Sequence, residues 1–191
     1  LTRDPNLRTP GFVRASRLLP RGESPVDENK RKTISGWIDK ASSHLDTARE
    51  HLKSSYRVSD SIQASQVCVE LSVKAILTLL NVPFPPSHGW NRQQLAEIAK
   101  HIKDRDLLAR LASQHLDYSV PLPRLLFRAN FWSQFYLEAK YGFEAGHLAP
   151  AQELFEKDDA ELAAKHADHC LRAARHVLYL PEEKLAELVG G

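Results

Sequence analysis

"SDSIQASQVCVELSVKAILTLL", residues 59–80, is the stretch whose reading decides the fold. It sets Ile62, Val69, Val73, Ile76 and Leu80 on one helical face, with Cys68, Leu71, Ala75 and Leu79 beside them. An apolar band that wide, on a helical period, predicts a central helix covered from more than one side. Ser59 or Asp60 is expected to cap its start. One polar stripe runs through the band: Gln66, Glu70 and Lys74, at i, i+4 and i+8. Glu ahead of Lys at that spacing is the favourable order for an ion pair. The stripe is either the solvent edge of the helix or a polar groove between helices, where a buried charge must have a partner.

Outward from this helix the pattern stays helical. In "TISGWIDKASSHLDTAREHLKSS", residues 33–55, apolar positions recur at Ile34, Trp37/Ile38, Ala41, Leu45, Ala48 and Leu52. "NVPFPPSHGWN", residues 81–91, is a stiff proline turn. After it Asn91 is expected to cap residues 92–102, and Asp104 to cap residues 105–116. "PLPRLLFRANFWSQFYLEAKYG", residues 121–142, predicts one long aromatic helix with Leu122, Leu125, Ala129, Trp132, Tyr136 and Ala139 on its stripe. Gly142 and Gly146 end it. Residues 158–180 form a last long helix with acids first and Arg/His late, which suits the helix dipole. Pro181 closes it, and "EEKLAELV" makes a stub. No strand alternation and no repeat period appears. The prediction is an all-α protein, an antiparallel up-and-down four-helix bundle with extra short helices.

The chain of 191 residues suits one domain. Residues 1–32, with four prolines and five arginines between Arg3 and Pro25, read as a Pro/Arg-rich arm. Residues 33–181 form the bundle, and 182–191 a short C-terminal helix and tail. With 26 Lys+Arg against 24 Asp+Glu the net charge is +2, so overall charge does not announce a nucleic-acid binder. Cys68 and Cys170 lie within helices and form neither a disulfide framework nor a CxxC metal site, which fits a reducing cytoplasm. "LTRDPNLRTPGF" lacks the apolar stretch of a secretory signal. No run of about eighteen apolar residues predicts a membrane span.

Residues 48–98, "AREHLKSSYRVSDSIQASQVCVELSVKAILTLLNVPFPPSHGWNRQQLAEI", resemble the first half of a HEPN domain (higher eukaryotes and prokaryotes nucleotide-binding). Gln66, Glu70, Lys74-Ala75 and Ser87-His88 stand where that family has its Gln-x3-Glu-x3-Lys-Ala pattern and its small-residue-His turn. "LEAKYGFEAG", residues 137–146, is similar to the Arg-Tyr-Pro stretch of one branch, and the alanine-spaced last helix also fits. The likeness covers roughly residues 34–180. It implies a bundle that pairs into a homodimer and acts on or binds RNA or nucleotide. The implied setting is a prokaryotic toxin–antitoxin or defence-type system, beside a nucleotidyltransferase or antitoxin partner.

Active members of the family pair an Arg with a His after four to six intervening residues. Here Lys140 and His147 stand in those places, a degenerate version of the pair. The chemistry is metal-independent RNA cleavage: an imidazole exchanges protons with the ribose 2′-OH while a cation holds the phosphate. Lysine lacks the planar guanidinium fork, and the two glycines loosen the spacing. Arg124 and Arg128, leading towards Lys140, are candidate phosphate ligands, joined through the resemblance by Tyr141, Glu70 and Lys74. The competing reading is a non-catalytic dimerisation or partner-interaction module. Trp37, Phe131, Trp132, Phe135 and Tyr136 offer more aromatic surface than one thin core needs, which favours a homodimer.

Arg110 and His115 match Arg-x4-His by spacing but lie on the helix before the aromatic one. His166, His169 and Cys170 sit at i, i+3 and i+4 with no second ligand pair in view, so no metal site is assigned. No phosphate loop, nucleophile elbow or Walker lysine is present, and no cofactor is expected.

Overall fold

The structure is a computed structural model that describes residues 27–190. Most of the expected arm therefore lies outside the described residues. Among them the chain is all-α, with no strand and a single isolated bridge between Phe143 and Ala149. The helices are α1 (Glu28–His51), α2 (Val58–Leu79), α3 (Arg92–Asp104), α4 (Leu107–Ser113), α5 (Leu122–Ser133), α6 (Tyr136–Tyr141), α7 (Ala151–Leu154), α8 (Lys157–Leu178) and α9 (Glu182–Val189), with a 3₁₀ turn at Glu144–Gly146.

The central position of α2 follows from its composition. It packs most extensively against α8 and α1, and then against α5 and α6. Every apolar residue assigned to its two faces is buried except Leu71, which is partly covered. The facing stripe of α8 is made of Ala160, Ala163, Ala164, Ala167, Ala173 and Ala174, all buried. Side chains that small let two helix axes approach closely. At that contact the Cys68 thiol lies 3.7 Å from the Ala167 carbonyl. Ser61 Oγ donates to the Ala48 carbonyl at 2.9 Å, tying α2 to α1. By length and mean composition α2 could cross a membrane, yet 78% of that stretch is buried in the protein interior.

Four local expectations are corrected. Helix α1 begins at Glu28, where Asp27 Oδ1 accepts from the Asn29 amide, and not near Thr33. Its first turn is polar, so apolar periodicity could not reveal it. Helix α2 starts at Val58, with neither Ser59 nor Asp60 as its cap: Asp60 instead binds Arg57 Nε at 3.0 Å, and Ser59 is buried. Asp104 does not cap α4; the chain turns through Asp106 in the left-handed region before α4 begins. The aromatic helix is broken between Ser133 and Tyr136. Ser133 Oγ and Gln134 Nε2 both donate to the Asn130 carbonyl, and such side-chain bonds compete with the helical ladder. Asn91 does cap α3, in a reciprocal box with Gln94.

Candidate functional site

The polar stripe of α2 lies in a groove rather than at the solvent edge. Glu70 and Lys74 side chains are each 11% exposed, and Lys74 Nζ reaches Glu70 Oε1 at 2.6 Å. Glu70 Oε2 takes two more donors, Gln66 Nε2 and His88 Nδ1, both at 3.0 Å. Lys74 also donates to the Ser87 carbonyl at 2.9 Å. Burial alone would raise the Glu70 carboxyl; the hydrogen bonds from Lys74 and His88 outweigh it and hold it below the ordinary carboxylate value. Glu70 is therefore an ion with every neighbour aimed at it.

The turn that delivers His88 is built for close approach. Three prolines stiffen it, Trp90 Nε1 donates to the Pro85 carbonyl at 3.3 Å, and Trp90 packs edge-on against Phe84. Gly89 has φ +71°, and a Cβ there would stand 2.5 Å from Ser133 Oγ. Only glycine satisfies both demands. The turn rests on α5, and the His88 ring stacks on Tyr136 of α6, centroids 5.5 Å apart and planes 5° from parallel.

On another face, α5 and α8 enclose a cleft of about 410 Å³, lined by Tyr118, Ser119, Arg124, Arg128, Leu125 and Pro121 with His169, Arg172 and His176. Three guanidinium and two imidazole groups converge there, and the lining has no carboxylate. Arg172 is held by Asp168 at 2.8 Å, and Asp168 also takes Arg49 of α1 at 2.9 Å. Arg128 is 8% exposed and forms no ion pair among the described residues; it lies beside the buried Cys170 thiol. The positive field is felt nearby. His166 is pushed down to about 4, by burial first and then by Arg128 and His169. Burial, then Arg128 and Arg172, lower His169 as well.

Lys140 and His147 are placed differently. Lys140 is exposed at the end of α6, its Nζ 4.9 Å from the Tyr141 centroid and 5.7 Å from that of Tyr136. A hydrogen bond to Tyr141, with the charges of Tyr136 and Tyr141, raises it above the ordinary lysine value, so it stays a cation. The chain then turns at Gly142 (φ +86°), where a Cβ would meet the Ala149 carbonyl at 2.6 Å. His147 follows the 3₁₀ turn, exposed. Among the described residues no hydrogen bond, ion pair or ring contact joins it to Lys140.

Other sequence candidates have structural roles. Arg110 donates to the main-chain carbonyls of Glu187 and Gly190, fastening α9. His115 lies in the left-handed region past the end of α4. His166 Nδ1 accepts from Trp132 Nε1 at 3.1 Å, and Cys170 is fully buried with its thiol pushed up to about 12. Several expected interface aromatics are engaged within the chain: Trp132 is buried, and Phe135 packs edge-on against Phe131 and Phe155. Phe127, 65% exposed, and Phe131 remain at the surface.

Sequence reasoning missed the contribution of α8 to the cleft. The signal was there: Lys165, His169, Arg172 and His176 fall at i, i+4, i+7 and i+11, one basic stripe on an otherwise alanine-lined helix. His88 was legible as part of a motif, but its bond to Glu70 spans eighteen residues and depends on a turn no local pattern specifies.

The chain is thus an all-α protein with a charged groove on its central helix and a basic cleft on another face. The family model described as HEPN domain matches residues 34–178, most of the chain, and the protein belongs to that family. No curated protein and no solved structure gives a match.

Proposed function

We propose that this HEPN protein binds RNA or nucleotide through phosphate, held in the cleft between α5 and α8 by Arg124, Arg128 and Arg172. The observation that carries this reading is Arg128, a buried cation with no carboxylate partner among the described residues, in a cleft lined by further cations. A charge taken out of water without a counter-ion is costly, and a bound phosphate removes that cost. Exposed Tyr118 at the same cleft offers a ring on which a base can stack. Lys140, with Tyr141, adds a second cationic point for a longer strand. Family membership supports, as the wider setting of this proposal, a cytoplasmic toxin–antitoxin or defence-type system, with a nucleotidyltransferase or antitoxin partner and residual metal-independent RNA cleavage at a degenerate site.

The test is fluorescence anisotropy with a labelled single-stranded RNA, competed by nucleoside phosphates and by inorganic phosphate, over a range of salt. Arg124→Ala and Arg128→Ala are each expected to weaken binding about tenfold and to shallow the salt dependence. Affinity unchanged in the double variant overturns the assignment.

A second reading, a dimerisation or partner-interaction module, is favoured by the exposed Phe127–Phe131 stack, centroids 5.9 Å apart. Light scattering should then report a dimer that Phe127→Ser returns to monomer.

A further inference from the structure

We propose that His88, oriented by Glu70, is the catalytic proton-transfer residue of this chain toward RNA; this rests on the reading that RNA is a ligand. Acid–base work on a hydroxyl needs an imidazole whose one nitrogen is fixed by a carboxylate and whose other is open to substrate. His88 satisfies both conditions. Its Nδ1 is 3.0 Å from Glu70 Oε2, and its side chain is 70% exposed while Glu70 is 11% exposed. Among the described residues its Nε2 has no hydrogen-bond partner. Glu70 cannot swing away, because Gln66 and Lys74 hold its two oxygens from the same helix. The imidazole cannot turn freely either, because Tyr136 covers one face. Lys74 pins the Ser87 carbonyl, one residue before the histidine, and Gly89 seats the turn on Ser133.

The surroundings suit a ribose and its phosphate. A cavity of about 340 Å³ beside His88 is lined by hydroxyl and amide side chains: Ser87, Asn91, Gln94, Ser133 and Gln134. Lys74, held on Glu70, is the cation beside His88, and exposed Lys140 stands at the same Tyr136 ring that stacks on His88. Among the described residues His147 has no comparable partner to orient it.

In the step, a ribose 2′-oxygen attacks the adjacent phosphorus. The 2′-O–P bond forms and the P–O5′ bond breaks, leaving a 2′,3′-cyclic phosphate. The 2′ proton passes to His88 Nε2, and the Nδ1–H donated to Glu70 stabilises the imidazolium. The departing 5′-oxygen takes a proton from water, and the imidazolium then returns its proton to solvent. No metal or oxidant enters the balance. Glu70 is a positioning residue: it acts only through His88.

The experiment incubates the full chain with single-stranded RNA in EDTA, reads 2′,3′-cyclic ends, and measures RNA binding in parallel. His88→Ala is expected to lower cleavage by about 100-fold or more with binding little changed, and added free imidazole should restore part of the rate. Glu70→Gln should lower kcat with KM held, a split that loss of a merely structural contact does not give. Binding without cleavage by the wild type overturns this inference and leaves the phosphate cleft standing. No binding at all overturns the reading on which it rests. Loss of cleavage in His147→Ala with full cleavage in His88→Ala assigns the chemistry to the loop histidine and overturns the proposal.

Discussion

The groove around Glu70 and the cleft around Arg128 are both buried and charged, yet they are finished to different degrees. In the groove one carboxylate has three donors, and the cation beside it has a carbonyl as well. In the cleft three guanidinium groups gather where the lining offers no carboxylate. In the first region the charges are paired as folded, and they hold geometry. The second has charge left over, which is the basis of the proposed phosphate site. A buried charge is thus weak evidence for stability by itself; whether its partners are internal decides what it does.

Removing Glu70 should test the paired region most severely. Glu70→Ala leaves Lys74 buried and uncompensated, and urea melts should show a loss of about 3 kcal/mol. Replacing both residues, as Glu70→Leu with Lys74→Met, should recover much of that. If the single variant costs no more than an exposed ion pair, the groove is not the low-dielectric site described here.

Gly89→Ala comes next. The left-handed backbone and the approach to Ser133 Oγ should together cost about 2 kcal/mol, read by the same melts. The cleft should respond in the opposite sense. Arg128→Leu removes an unpaired buried cation, so the urea midpoint should hold or rise while RNA affinity falls about tenfold, or about 1.4 kcal/mol. A marked loss of stability would mean that Arg128 is a structural ion after all.

Acid should separate the two regions more gently. His166 titrates near 4 in the folded chain against 6.5 in the unfolded one. Between those values the unfolded chain takes up a proton that the folded chain refuses, so stability is full above pH 6.5 and declines as the pH falls towards 4. His166→Asn should flatten that decline, followed by the fluorescence of its partner Trp132. Glu70 acts lower: its folded value is depressed, so its contribution is present above the ordinary carboxylate range and fades only in stronger acid. The smallest effect belongs to Lys157 and Glu161, an i,i+4 pair at 3.6 Å with both side chains more than half exposed. Lys157→Ala should change stability by no more than about 0.5 kcal/mol, although the spacing matches that of Glu70 and Lys74.

That last contrast explains what could be read from the sequence. The helices were legible because burial imposes a period: Ile34, Ile38, Ala41 and Leu45 on α1 and the band of α2, Leu71 apart, are all core residues. The i, i+4, i+8 stripe was legible too, but its environment was not, since spacing carries no information about what packs over it. Boundaries failed where a capping side chain, a left-handed backbone or side-chain bonds to a main-chain carbonyl set them, as at Asp27, Asp106 and Ser133. Arg124 and Arg128 could be nominated from one helix; their convergence with Arg172 and His176 depends on α8 folding back more than forty residues later. Lys140 and His147 were nominated by likeness to a motif, which says nothing of how a loop through Gly142 arranges them.

The break between α5 and α6 has a consequence for how such a protein can change over generations. Had residues 122–141 formed one rod, Arg128 and Lys140 would share a fixed register, and any substitution that rotated one would rotate the other. Interrupting the rod at Ser133–Phe135 decouples them. A lineage can reshape the end that carries Lys140, His147 and the stack on His88, or let it decay, while the basic cleft is inherited intact. The same break lets the cleft drift towards a new anion without disturbing the other end.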